Sequence, residues 1–282
     1  MNAYRECRYT SQDGLSLYYR EYGAPDAPGT PLLCLAGLTR NSRDFHGLAL
    51  RLCHNRRILC PDYRGRGRSD YDPNSDNYQP ATYLNDIRHL LAITGIDQVV
   101  VVGTSLGGLL AMAMGAAMPT VLHGVVLNDV GPEIGGEGLA RIISYIGTDR
   151  PHHDWASATK DLATMFPHLS LDSDAAWESA ARATWQEGDD GLLHFDWDTR
   201  IAEPLAKGAP LPDLWALYDS LGNLPLMAIR GALSDILSAD TLTQMADRHP
   251  GLAQVTVAGA GHVPTLNESD VTGPLDAFVA TL

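Results

Sequence analysis

Residues 98–108 read Gln98-Val99-Val100-Val101-Val102-Gly103-Thr104-Ser105-Leu106-Gly107-Gly108. A run of valines ended by glycine is the pattern of a short strand buried on both faces. Residues 106–118, rich in Leu, Ala, Met and Gly, read as a buried helix, because the apolar stretch is too short to cross a bilayer. Gly103-Thr104-Ser105-Leu106-Gly107 therefore joins a strand to a helix, which is the setting that gives a G-x-S-x-G sequence its meaning as a nucleophile elbow. On so sharp a turn the serine takes a strained backbone conformation, and its hydroxyl is lifted clear of the sheet. Strand and helix then crowd each other, so the positions two before and two after the serine must be tiny. Gly103 and Gly107 meet that need, and Gly108 adds room.

On either side of this stretch the same rhythm continues. Apolar runs at 31–35, 57–61, 98–103, 122–128, 224–231 and 252–257 alternate with helical patterns at 43–53, 78–94, 106–118, 239–248 and 270–282. Strands alternating with helices imply a parallel sheet with right-handed crossovers. Before them, 5–10 and 15–22 read as two strands joined at Asp13-Gly14, a pair suited to a tight hairpin turn. One interval breaks the rhythm. Residues 131–222 hold helix-like pieces, prolines that include Pro167, Pro204, Pro210 and Pro212, and all five tryptophans, but no convincing buried strand. A structureless loop of that length is implausible in a compact domain, so the interval is expected to form a helical cap (lid) inserted into a core made of 1–130 and 223–282. Most of the tryptophans are expected to pack that cap onto the core, with some near an apolar or aromatic substrate.

A serine hydroxyl is a weak nucleophile at neutral pH and needs a base. Among the ten histidines, His262 stands out in Gly259-Ala260-Gly261-His262, directly after the last expected strand. Open parallel sheets place their ligand chemistry in loops at the carboxyl ends of strands. His152-His153-Asp154 lacks the spacing of a helical zinc pair, and no metal or organic cofactor is expected. A carboxylate should orient the imidazole. Asp235, in Arg230-Gly231-Ala232-Leu233-Ser234-Asp235 after the strand at 224–231, is the expected partner and gives the chain order Ser, Asp, His. The rival is Asp129 in Leu127-Asn128-Asp129-Val130, otherwise read as a structural loop residue. For an oxyanion, the free backbone N–H of Leu106 at the helix start and that of Leu38, in the loop after 31–35, are the expected donors. Asp62-Tyr63-Arg64-Gly65-Arg66-Gly67-Arg68-Ser69 is neither a dinucleotide fingerprint nor a phosphate loop, and is expected to form a rigid turn beside the pocket.

Composition narrows the classes of partner. The formal net charge of −14 argues against nucleic acid and mildly against strongly anionic substrates. The apolar fraction of 45% suits a globular protein with a sizeable core, and no membrane association is expected. Cys7, Cys34, Cys53 and Cys60 show no metal spacing, and the first residues lack a secretory h-region. Reduced thiols and a cytoplasmic location follow as expectations. Oligomeric state is not legible.

Taken together and in order, Leu35-Ala36-Gly37-Leu38, the Asp62–Ser69 string, Gly103 to Gly108, Arg230 to Asp235 and Gly259 to His262 resemble the α/β-hydrolase superfamily, in its cap-bearing serine branch. The resemblance covers nearly the whole chain. It implies an α/β-hydrolase fold, with a mostly parallel eight-stranded sheet flanked by helices and a substrate pocket roofed by the cap. It departs at the oxyanion loop, where relatives usually carry His-Gly and this chain has Ala36-Gly37. Epoxide hydrolases and haloalkane dehalogenases of similar fold use Asp at the elbow, so Ser105 argues against both chemistries. What remains is cleavage of an ester-like bond (carboxylester, lactone or thioester) in a small apolar molecule through an acyl-enzyme. Carbon–carbon bond hydrolysis and cofactor-free haloperoxidase-like chemistry are the alternatives on the same residues. A small-molecule receptor with vestigial hydrolase activity is the alternative from another class.

Overall fold

Buried β-branched runs can satisfy their backbone groups only by pairing with one another. In the computed structural model, which describes residues 3–207 and 213–282, they do so in one eight-stranded sheet. Pro210 and Pro212 of the prolines above, and Met1 and Asn2, lie outside the described residues. The core elements follow in chain order as β1 (Arg5–Thr10), β2 (Ser16–Tyr22), β3 (Gly29–Leu35), α1 (His46–Leu52), β4 (Arg56–Pro61), α2 (Pro80–Thr94), β5 (Val99–Thr104), α3 (Leu106–Ala117) and β6 (Leu122–Asn128). The interval after β6 carries α4 (Gly136–Ile146), α5 (Trp155–Met165), α6 (Asp174–Arg182), β7 (Trp185–Glu187), β8 (Leu193–Phe195), α7 (Ala202–Ala206) and α8 (Leu214–Asp219). The core resumes with β9 (Leu226–Gly231), α9 (Ala239–Arg248), β10 (Ala253–Val257) and α10 (Ser269–Ala280).

The strand order is β1-β2-β4-β3-β5-β6-β9-β10. β2 runs antiparallel to both β1 and β4, and every other pairing is parallel. β5 lies at the centre, all six of its residues buried, with β3 on one side and β6 on the other. The ends of β3, β5, β6, β9 and β10 thus open onto the same edge of the sheet.

The interval 131–222 differs from expectation in two respects. It contains a two-stranded antiparallel pair, β7 with β8, too short to give a sequence signal. Its last helix, α8, lies against the core helix α3, where Ser220 Oγ donates to the Met112 carbonyl at 3.4 Å. The tryptophans pack as apolar mass with one polar tip each. Trp185 and Trp197 are buried and donate to the carbonyls of Arg150 and Ile146, both at 3.0 Å. The ring of Trp197 stacks on Phe195 at 3.9 Å between centroids.

The Asp62–Ser69 string becomes a buried platform beneath this insertion. Arg64 is ion-paired to Asp13, Asp72 and Asp86, and Gly67 N and Gly65 O hydrogen-bond the backbone of Asp196 and Asp198. Gly65 and Gly67 both have positive φ, at 73° and 55°, as the tight turn requires. Among the described residues, no helix is long and apolar enough to cross a membrane.

Candidate active site

At the end of β5 the chain turns so sharply that Ser105, the residue before α3, has φ 51° and ψ −115°. This left-handed conformation is costly for a residue with a Cβ and is held by its surroundings. Ser105 N donates to the Asn128 carbonyl at 3.0 Å, tying the turn to the neighbouring strand end. The crowding expected from the sequence is present. A methyl at Gly103 would land on the Gly107 carbonyl, one at Gly107 on the Leu35 carbonyl, and one at Gly108 on the Val130 side chain.

His262 comes from the loop after β10 and meets the serine, its Nε2 lying 3.0 Å from Ser105 Oγ. That loop is packed from two sides. A methyl at Gly231 would collide with the carbonyls of Ala260 and Gly261, and Gly261 N donates to the His168 carbonyl of the insertion at 2.8 Å. Asn128, which the sequence reading did not single out, holds the loop from below. Its Nδ2 donates to the Pro264 carbonyl at 2.9 Å and to Thr104 Oγ1 at 3.1 Å. A polar side chain at the last position of a buried strand was the available signal.

The expected carboxylate is not the one beside the imidazole. Asp235 turns toward the insertion and forms a two-pronged ion pair with Arg141 of α4, both contacts at 2.9 Å. The Arg141 guanidinium holds its carboxyl below the usual carboxylate range. His262 Nδ1 instead lies 2.7 Å from Asp129 Oδ2. The correction has a physical cause. Asp129 directly follows β6 with φ 55°, a conformation that Asp adopts more readily than most residues. Its fully buried carboxylate accepts from Gly231 N at 2.8 Å and Ser234 Oγ at 2.6 Å as well as meeting the imidazole. A carboxylate with three such partners is locked in place, whereas Asp235 lies four residues beyond β9 and belongs to the join between core and insertion.

Leu38 and Leu106 were the expected oxyanion donors. Leu106 opens α3, and its N–H has no acceptor among the described residues; nor has that of Leu38. A methyl at Gly37 would lie 3.8 Å from Ser105 Cβ, so the loop after β3 runs beside the hydroxyl. Ala36, in the position where histidine was the family expectation, is buried, and its carbonyl accepts from Tyr63 Oη at 3.1 Å. The Leu38 carbonyl accepts from Arg66 Nε at 2.9 Å. The turn at Asp62–Ser69 therefore pins the loop after β3 at two carbonyls two residues apart. Arg66 is buried to do so, as is Arg64, which removes both from any role in meeting an anionic substrate.

Ser105 and His262 open into a cavity of about 450 Å³. Ile142, Tyr145, Leu162, Phe166 and Leu169 of the insertion form an apolar wall, and none of the tryptophans lines it. An imidazole placed between a hydroxyl and a buried carboxylate can take up the hydroxyl proton and be stabilised as a cation. Among the described residues, no three His, Cys, Asp or Glu side chains gather in a way that could hold a metal ion.

Comparison with known proteins agrees with this architecture. A model of the Alpha/beta hydrolase family matches residues 32–279. The chain is 32% identical over 258 residues to 3-hydroxybutyrate-oligomer hydrolase of Cupriavidus necator, spanning 88% of this chain and 87% of that protein. It is 28% identical over 269 residues to 2-(acetamidomethylene)succinate hydrolase of Mesorhizobium japonicum, spanning 93% and 92%. The crystal structure of an alpha/beta hydrolase from Novosphingobium aromaticivorans has a TM-score of 0.94 at 44% identity and covers 100% of both chains. The matched stretch is the one that builds the sheet from β3 onward, the serine turn and the histidine loop, and the chain belongs to the alpha/beta hydrolase family.

Proposed function

We propose that the chain is a serine hydrolase of carboxylic esters with a small, largely apolar body. The observation that carries this reading is the unbroken contact line from Ser105 Oγ through His262 to Asp129, at 3.0 and 2.7 Å, on the floor of an apolar-walled cavity. His262 Nε2 removes the Ser105 proton as Oγ attacks the carbonyl carbon. Asp129 stabilises the imidazolium and fixes its tautomer. The N–H groups of Leu38 and Leu106 receive the oxyanion, and the start of α3 adds a favourable dipole. His262 then gives its proton to the departing alkoxide, leaving an acyl group on Ser105. Water attacks that acyl group, again losing a proton to His262, and the acid leaves with Ser105 restored. Every proton is returned, and no co-reactant other than water is needed.

Similarity to two hydrolases of different named substrates supports the reaction class, and the first of them supports esters of short hydroxy acids among the candidates. The test begins with covalent labelling of Ser105 by a fluorophosphonate. A panel follows of 4-nitrophenyl butyrate, 3-hydroxybutyrate dimer, a lactone, a thioester and a vinylogous diketone. Turnover of the esters that vanishes in Ser105→Ala is the expected result. Undiminished ester hydrolysis by that folded variant sinks the scheme. Cleavage of the diketone alone would move the protein to carbon–carbon chemistry. Binding with no more than one turnover would make it a receptor.

A further inference from the structure

The cavity over Ser105 is also lined by four arginines, Arg20, Arg40, Arg43 and Arg182, in a chain whose formal charge is −14. Three of them have carboxylate partners. Arg40 makes two contacts to Asp44, Arg43 pairs with Asp196, and Arg182 pairs with Glu178. Arg20 makes no ion pair with any described residue and has only the neutral hydroxyls of Tyr18 and Tyr22 beside it, although it is only 9% exposed.

Arg20 projects from β2 between Tyr18 and Tyr22, which share its face of the sheet. The Tyr4 ring lies 4.3 Å from its guanidinium carbon. Its Nε is fully enclosed without an acceptor, and the Tyr18 hydroxyl is likewise enclosed and unpartnered. Glu6 stands opposite in the β1–β2 register but is paired with Arg68 at the surface. His46 lines the same end of the cavity and points Nδ1 at Tyr22 Oη, 3.0 Å away. The only acidic side chain lining the cavity among the described residues, Asp44, is held by Arg40.

A buried cation without an anion costs several kcal/mol, and cation–π contact returns only part of that. Such a group persists when its partner arrives from outside. We propose that Arg20, with His46 beside it, is an anion subsite for a carboxylate carried by the substrate at a distance from the scissile bond. The substrate class is then an acid-terminated ester, such as the hemiester of a dicarboxylic acid or an ester of a hydroxy acid whose own carboxylate is free. The apolar wall takes the body of such a molecule, Ser105 meets its ester carbonyl, and Arg20 takes its charged end. The assignment rests on the serine-hydrolase reading, which places the reacting carbonyl at Ser105.

The experiment compares esters matched in length but not in charge. These are 4-nitrophenyl hydrogen glutarate against 4-nitrophenyl valerate, and 3-butyryloxybutyrate against its primary amide. In the wild type, kcat/KM for at least one anionic member exceeds that of its neutral mate about tenfold or more, the range of a charge-assisted hydrogen bond. In Arg20→Gln that ratio falls by about the same factor, chiefly through KM, and Arg20→Lys restores part of it. Since an unpaired buried charge is removed, Arg20→Gln melts no lower than the wild type. No charge preference in the wild type, or a ratio unmoved by Arg20→Gln, overturns the subsite while leaving ester hydrolysis standing. A fall in Tm with equal losses on both members makes Arg20 structural and also overturns it. If no ester is turned over, the serine-hydrolase reading fails. Calorimetric binding of hydrogen glutarate monomethyl ester to Ser105→Ala, with and without Arg20→Gln, then decides the subsite independently.

Discussion

The Asp129 carboxylate reaches the His262 imidazole across 133 residues of chain, Oδ2 to Nδ1 at 2.7 Å, and at the same time accepts the Gly231 N–H at the end of β9. One side chain thus orients the imidazole and ties two parallel strand ends together. Asp129→Asn should lower kcat about a thousandfold or more, because an amide favours the wrong tautomer and cannot stabilise the imidazolium. Asp235→Asn removes a partly exposed pair with Arg141 and should cost about 1 kcal/mol of stability or less, with kcat within a fewfold. Steady-state kinetics on both variants, with circular dichroism to confirm folding, checks the assignment. The reverse ranking would restore Asp235.

The serine turn has no room for a methyl group at Gly107, which would occupy the position of the Leu35 carbonyl oxygen. The obstacle is backbone of the neighbouring strand, which cannot rotate away. Gly107→Ala should lower stability by about 3 kcal/mol or more, or prevent soluble folding, well beyond an ordinary exposed Gly→Ala change. Denaturant melts read the effect. A variant as stable as the wild type would contradict the described packing.

The loop carrying Leu38 N–H is held by Tyr63 Oη on the Ala36 carbonyl and Arg66 Nε on the Leu38 carbonyl. Tyr63→Phe should lower kcat a fewfold. Arg66→Lys, which loses the planar donor set, should lower it about tenfold, with KM changing less in both. A loss confined to KM would mean that these residues shape substrate binding and leave the proposed oxyanion donors untouched.

Asp196 fastens the insertion to the core through Arg43 at 3.0 Å and Asn41 Nδ2 at 3.2 Å. Burial pushes its carboxyl up to about 6 from an ordinary 3.8, against the opposing pull of Arg43. The folded state therefore holds a proton that the unfolded chain releases between about pH 4 and pH 6, so the contribution of Asp196 to stability declines as pH rises through that window. Relative to Asp196→Asn, which does not titrate, the wild type should lose up to about 3 kcal/mol of unfolding free energy between pH 4 and pH 7. Paired denaturant melts at the two pH values check the sign. A difference that grows with pH would refute it.

Much of this architecture is legible in single runs of residues. Four valines followed by Gly-Thr-Ser-Leu-Gly specify a strand, a turn and a helix with little freedom, because each step is a local steric or burial constraint. The same holds for His262, whose glycine-rich loop directly follows an expected strand. The β7–β8 pair was not legible, since three-residue strands carry no periodicity. Nor was Arg20. A single arginine in a strand with tyrosines on either side reads as an edge residue until the fold shows what covers it.

The sequence by itself determined the sheet, the serine turn and the histidine loop, because each is encoded by neighbouring residues acting over a few ångströms. The choice of carboxylate belonged to the tertiary structure. Asp129 and Asp235 both follow strands that end on one edge of the sheet, and their local sequences qualify either. What separates them is the path of the chain after each strand: the left-handed turn at Asp129 aims its carboxylate at His262, while Arg141 from a distant helix claims Asp235. Long-range pairing of charges is decided by what the folded chain brings within about 3 Å, and no local pattern records that.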